Sequence, residues 1–196
     1  MPRALTERER CRTCQKLLDK GRDIILLHGI KKVSVDDITK AAGMAKGSFY
    51  QYFGSKEKFL FEMIMDTHKQ VFAQAERMLM GGNDMRETLR TLLLNLFNIP
   101  EMVFLTKHYN EINELVESMT DQEAQLTNQM EVSMFRRLMT MLGIDTQKVS
   151  PGVVHNYLHT LYLIMGSELM SKEDLPQTAE LIRESLISYI FGGDTQ

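Results

Sequence analysis

Seven consecutive residues, Lys46 to Tyr52, hold most of the side chains here that suit a polar partner: an ammonium on Lys46, a bare backbone at Gly47, a hydroxyl on Ser48, phenols on Tyr50 and Tyr52 and a carboxamide on Gln51. Such groups bond phosphate oxygens and the edges of bases. To present them together, the segment must be a helix with its opposite face buried, and Phe49 and Phe53, four residues apart, supply that face. A preceding helix is predicted from Val35, Ile38 and Ala42 at helical spacing, with Asp36, Asp37, Thr39 and Lys40 in water and Ser34 as its cap. Gly43 lies where the chain leaves this helix for the next at a steep angle, a place that calls for a positive φ. Ala41, Ala42, Phe49 and Phe53 read as the core between the short helices. Ser55 caps a third helix that begins at Lys56, where a lysine opposes the helix dipole and a phosphate would relieve the conflict. Singly, Tyr50 and Tyr52 also read as half-buried tyrosines, and Lys56 and Lys58 as solvated charges.

With a first helix around Cys14 to His28, the break at Gly29 and the run GMAKGSFYQYFGSKE from Gly43 to Glu57, the segment resembles the N-terminal domain of the TetR family of bacterial one-component transcriptional repressors. The resemblance covers about the first third of the chain and has no motif beyond about Met63. Ser48 stands where the family often has Thr, and Phe49 where it often has Leu. By matching position, the resemblance implies DNA contacts from Ser34 or Val35 at a helix start, from Lys46, Gly47, Ser48 and Gln51 in the major groove, and from Tyr50, Tyr52 and Lys56 on phosphates. It also implies a homodimer on a palindromic operator in double-stranded DNA and a small-molecule effector, while the composition points to a cytoplasmic protein.

The elements that must position these residues are all helical, so the predicted fold class is all-α: a helix-turn-helix domain over residues 1–55, and a helical effector-binding and dimerisation domain over 56–196, entered by one long helix. The first helix is expected from about Thr6 to His28, with apolar faces from Leu17, Leu18, Ile24, Ile25 and Leu27. The long helix runs from Lys56 to about Leu79 and ends at Gly81-Gly82; others span Asp84–Phe97, a stretch after Pro100, and Asp121–Leu142 closed by Gly143. Ser150-Pro151 reads as a cap and first-turn proline for a helix to about Met170, and the last helix runs from about Leu175 to Phe191, ended by Gly192-Gly193.

Two apolar stripes stand out in the C-terminal helices: Val154, Tyr157, Leu158, Leu161, Tyr162 and Met165 on one, and Ile182, Leu186, Ile187, Tyr189 and Ile190 on the other. Periodicity alone leaves an intramolecular bundle and a dimer interface equally open; the resemblance favours a dimer through a four-helix bundle. It also places an effector pocket in the middle of the body, for which Phe97, Phe104, His108, Tyr109, Met130, Met134, His159 and Tyr162 are the candidates. Methionine is flexible and polarizable, and the group Met130, Met134, Met139 and Met141 beside Phe135 suits an apolar or amphipathic ligand, although core filling is the ordinary role of each. His155 and His159, four residues apart, have no accompanying ligand set in sequence, so no metal and no cofactor is expected. Cys11 and Cys14 read as reduced thiols; flanking Arg10, Arg12 and Lys16 are the only motive for a redox role. Arg3, Arg8, Arg10 and Arg12 read as a solvated tail, with minor-groove contacts as the alternative.

The 196 residues carry a formal charge of −3, which conceals a division: residues 1–60 hold 13 Lys+Arg against 7 Asp+Glu, a balance of +6, and the remainder 10 against 19, a balance of −9. A basic head on an acidic body confines attraction for phosphate to one end. There is no run of ~18 apolar residues for a membrane span, and no secretory stretch. No nucleophile elbow, phosphate-cradling glycine loop, kinase signature or dinucleotide fingerprint occurs, so an enzyme is not expected. Two classes remain: a regulator released by a small apolar or amphipathic molecule, and a helical DNA-binding interaction module with no such effector.

Overall fold

The computed structural model describes residues 6–80, 82 and 84–192, and among them the side chains of all but 122–124 and 128. Arg3, Gly81 and Gly193 lie outside the described residues. Helices and the turns between them make up the described chain, which divides into two compact units, Met1–Thr67 and His68–Gln196. The division falls inside the long helix rather than at its start at residue 56.

The first unit contains α1 (Glu7–His28), α2 (Val35–Ala42), α3 (Lys46–Phe53) and the first half of α4 (Lys56–Leu79). Thr6 opens α1 with a reciprocal capping box to Glu9, and Ser34 does the same for α2 with Asp37. Gly43 ends α2 in the left-handed region, at φ 64° and ψ 41°, so the chain turns sharply into α3 with no Cβ strain. Phe49, Phe53 and Phe59 meet with ring centroids 4.9–5.3 Å apart and form the centre of the unit's core. Leu17, Ile25, Ile38 and Met63 of the same unit are fully buried as well. Gly21 is required by this packing, because a Cβ there would overlap the tip of the Phe59 ring. Three expectations fail here. Ala41 is exposed, being on the outer face one residue from buried Ala42; Leu27 is 75% exposed, because the inner stripe of α1 ends at Ile25; and Thr39 is buried, its hydroxyl satisfied by the Val35 carbonyl at 2.9 Å.

The second unit continues through α5 (Met85–Asn95), a 3-10 turn (Leu96–Asn98), α6 (Pro100–Lys107), α7 (Tyr109–Glu117), α8 (Asp121–Met141), α9 (Pro151–Gly166) and α10 (Leu175–Phe191). The stretch after Pro100 is two helices, broken at His108. The helix expected to reach Met170 stops at Gly166, and Ser167 is extended. Ser150 makes no side-chain cap, and its backbone N–H instead donates to the Tyr189 hydroxyl at 3.0 Å. The core joins Leu89, Leu92 and Leu93 of α5 to Met139 of α8, Val154 of α9 and Leu186, Ile187 and Ile190 of α10. A smaller cluster centres on Leu161, Ile164 and Ala179, with Phe97 and Met165 against it. Five members of the two C-terminal stripes, Val154, Leu161, Leu186, Ile187 and Ile190, are therefore buried within the single chain. Tyr157, Leu158, Tyr162, Met165 and Ile182 are partly covered, and Tyr189 is exposed.

Candidate functional site

Burial of Phe49 and Phe53 fixes which side of α3 faces outward. Lys46, Gly47, Tyr50 and Gln51 are exposed there, while Ser48 and Tyr52 are partly covered. The Lys46 ammonium lies 3.1 Å from Asp36 of α2, which raises its pKa through the hydrogen bond and the opposite charge. Tyr50 stands edge-on to Phe49, and Arg10 of α1 stacks 5.7 Å from the centre of the Tyr52 ring. Arg8, Arg10 and Arg12 are thus exposed members of a helix and not part of a loose tail.

Two residues assigned through the resemblance sit differently from a free contact. Val35 is 8% exposed, so its side chain belongs to the core, while Ser34 beside it is exposed. Lys56 is partly covered and its Nζ donates to the Ile30 carbonyl at 3.1 Å, tying the start of α4 to the turn before α2. Ser55 caps that start by accepting from the Lys58 N–H at 3.2 Å. Cys14 is half-buried, and burial, then Glu62, push its thiol pKa up, with Arg10 opposing weakly; that removes the electrostatic motive for a reactive thiolate there.

The second unit holds a separate group of polar and aromatic side chains. Glu131 of α8 bridges two imidazoles: one carboxylate oxygen lies 2.7 Å from His68 Nδ1, and the other 3.1 Å from His155 Nε2. Burial works to raise the pKa of Glu131, but the hydrogen bonds from His155 and His68 and their nearby charge outweigh it and hold it at about 2. A file of rings runs beside this carboxylate: Phe72 to Phe135 at 4.7 Å, Phe135 to His155 at 5.3 Å, then His159 at 5.8 Å, Tyr162 at 6.0 Å and Tyr109 at 5.2 Å. The Tyr162 hydroxyl donates to the Leu105 carbonyl at 3.2 Å, and burial, first, raises its pKa, so it remains a phenol. Tyr109 comes this close to α9 because Gly166 has no side chain; a Cβ there would stand 2.7 Å from the Tyr109 Cβ.

Of the expected pocket residues, Tyr109, His159 and Tyr162 belong to this file. The Phe104 ring of α6 lies 5.2 Å from that of His108, at the break between α6 and α7, whereas Phe97 packs on the smaller core cluster. Met130 and Met134 are partly covered positions of α8, and Met139 is core. His68, Phe72, Glu131 and His155 complete the group, and sequence reasoning misses the first three. Their one legible signal is the i, i+4 spacing of Glu131 and Phe135, which puts a carboxylate and a ring on one face of α8. His155 shares a helix face with His159, but its Nε2 is engaged by Glu131. No set of three or more His, Cys, Asp or Glu among the described residues has the arrangement to hold a metal ion.

The family model described as bacterial regulatory proteins, tetR family, matches residues 17–63, which span the second half of α1 through the start of α4. Residues 17–63 are a tetR-family domain. The transcriptional repressor KstR2 of Rhodococcus jostii is 32% identical to it over 78 residues, 40% of this chain and 38% of that protein, so the match spans well under half of the relative. Over nearly the whole length, the chain is similar in fold to the fatty acid degradation regulator FadR of Bacillus halodurans, at 19% identity and a TM-score of 0.60, covering 99% of this chain and 100% of that one. A TetR transcriptional regulator from Rhodococcus sp. RHA1 superposes with a TM-score of 0.64 at 14% identity, covering 94% and 99% of the two chains. Those two likenesses concern the fold, whereas the family model is matched by residues 17–63 alone.

Proposed function

We propose that this tetR-family chain is a one-component transcriptional repressor that binds a palindromic operator as a dimer and is released by a small apolar or amphipathic effector. The observation that carries the reading is the outer face of α3: Lys46, Gly47, Tyr50 and Gln51 stand exposed on a helix whose rotation is locked by buried Phe49 and Phe53. That arrangement suits a helix placed in a major groove, and the +6 balance of residues 1–60 supports approach to phosphate. Ser48 and Gln51 are read as groove contacts with Lys46, and Tyr50, Tyr52 and Ser34 as backbone contacts. Lys56 serves both as a phosphate partner and as the tie to Ile30. For dimerisation, the buried members of the C-terminal stripes are already used, so the interface is assigned to what faces outward: Gly152, Asn156 and Thr160 of α9, with Leu181, Ser185 and Ser188 of α10. Small side chains at such spacing let helices approach closely.

Selection of bound fragments from a random DNA pool by the purified protein tests this. A two-fold symmetric motif is expected, with half-sites about one helical turn or a multiple apart. Gln51→Ala should change the preferred bases, whereas Lys56→Ala should weaken all sequences alike and reduce the salt slope by ~0.9 for each phosphate that is no longer neutralised. Recovery of no motif from a folded dimer at low salt would overturn the reading.

A further inference from the structure

We infer that Asp36 is a specificity-determining residue of the DNA-reading head: its carboxylate holds the Lys46 ammonium so that Lys46 serves guanine, a neutral acceptor on a base edge, and not phosphate. The inference rests on the reading of α3 as the groove helix, and it assigns Asp36 a role and Lys46 a base.

The Lys46 Nζ lies 3.1 Å from one carboxylate oxygen of Asp36 and 3.2 Å from the other. An ammonium carries three N–H donors, so a carboxylate that engages it from the α2 side leaves capacity for a further partner. The two partners on offer along a groove differ in charge. Guanine presents O6 and N7, neutral acceptors that can join the ion pair without breaking it. A phosphate is an anion; it would meet a cation already neutralised and come close to the Asp36 carboxylate, which repels it. The pair thus lowers the attraction of Lys46 for DNA backbone and keeps its hydrogen bond for a base.

Stability does not account for the pair. Both side chains are about half exposed, 54% and 52%, and exposed pairs contribute little. The cap of α2 comes from the next residue, Asp37, whose Oδ2 accepts from the Ser34 N–H at 2.9 Å and from the Ser34 hydroxyl at 2.6 Å. Asp36 is left to reach across the Gly43 turn, and the place it reaches is one that would otherwise hold phosphate of any sequence. Helix α3 opens at Ala45 with no side-chain cap, has Lys46 as its first residue and has no acidic residue in its first turn. Its backbone is bare at Gly47, where an added Cβ would meet nothing within 4 Å. A cation at the positive end of a helix attracts any phosphate, and Asp36 is the carboxylate that offsets it.

The test measures Kd across a range of salt for two duplexes of equal length, the fragment most enriched from a random pool by the wild type and a scrambled one. The proteins are the wild type, Asp36→Asn, Lys46→Met and the double variant, each shown to be folded by its melting curve. Asp36→Asn is expected to bind the scrambled duplex more tightly and to steepen its salt slope by ~0.9 per protomer, as Lys46 takes a phosphate. Its preference for the selected fragment should fall about tenfold, within the worth of one base contact. Selection repeated with Asp36→Asn should lose a guanine at one position of each half-site, the position that Lys46→Met also loses. Removing a negative charge lessens repulsion of DNA in general, and the double variant separates the two effects: without Lys46, Asp36→Asn should leave the scrambled affinity and its slope nearly unchanged. An equal gain with and without Lys46, an unchanged slope, or an intact guanine preference would overturn the inference. A wild type that selects a motif beside an Asp36→Asn protein that behaves identically sinks this inference alone. A wild type that selects none, with a slope that Asp36→Asn still steepens through Lys46, sinks the repressor reading and leaves the exclusion of phosphate standing.

Discussion

Glu131 shows how one residue's environment reverses the usual effect of burial. Taken out of water alone, a carboxylate becomes a weaker acid; held by His155 and His68 it becomes a stronger one, at about 2 against an ordinary 4.5. A folded-state pKa below the unfolded one contributes stability that is complete above about pH 4.5 and is lost as pH falls toward about 2, up to about 3 kcal/mol for a shift of this size. Glu131→Gln should therefore unfold at lower urea than the wild type near pH 6, with the difference shrinking on acidification below pH 4.5. A difference that stays constant across that range would mean the bridge contributes through shape and not through charge. Lys46 teaches a related lesson on the outer face: its partner Asp36 is ten residues back and reaches it only because the glycine turn folds α3 against α2.

Between residues and domains, the close approach of α1 and α4 is set by one missing side chain. Gly21 lies mid-helix, where Ala would be the better helix former by ~1 kcal/mol, yet its place against Phe59 leaves no room for a methyl group. Phe59 is fully buried and wedged by Phe49 and Phe53, so its ring has nowhere to turn. Overpacking of ~1–3 kcal/mol should outweigh the gain in propensity, so Gly21→Ala is expected to destabilise the first unit by about 1–2 kcal/mol. Shortening the ring in a Gly21→Ala, Phe59→Leu double variant should recover part of it, with urea midpoints as the readout. Additive losses in the double variant would place the strain elsewhere. Gly166, the last residue of α9, leaves the same kind of room for Tyr109.

For the whole molecule, an apolar stripe does not say which surface it meets. Leu186 is 1% exposed and belongs to the chain's own core, whereas Leu181, five residues earlier on the same helix, is 66% exposed. If two copies associate through the outer faces of α9 and α10, Leu181→Asp should shift sedimentation from dimer toward monomer with little loss in the stability of each chain. Leu186→Ala should do the reverse, lowering stability by about 2–5 kcal/mol and leaving the association of folded chains in place. A Leu181→Asp protein that sediments as the wild type would remove this face as the interface.

Local rules carried much of this from the sequence alone. Capping residues, glycine stops and 3.6-residue spacing located most helices to within a few residues, and the four-residue interval of Phe49 and Phe53 identified the exposed face of α3, because the forces that decide such features act within one or two turns. Tertiary structure decided the rest. Glu131 meets a histidine 63 positions before it and another 24 after it, and a pairing across three helices leaves no periodicity to read. Burial of Leu186 and exposure of Ala41 and Leu181 were likewise decided by which neighbour each helix found, since an apolar side chain gains from burial wherever an apolar surface is offered.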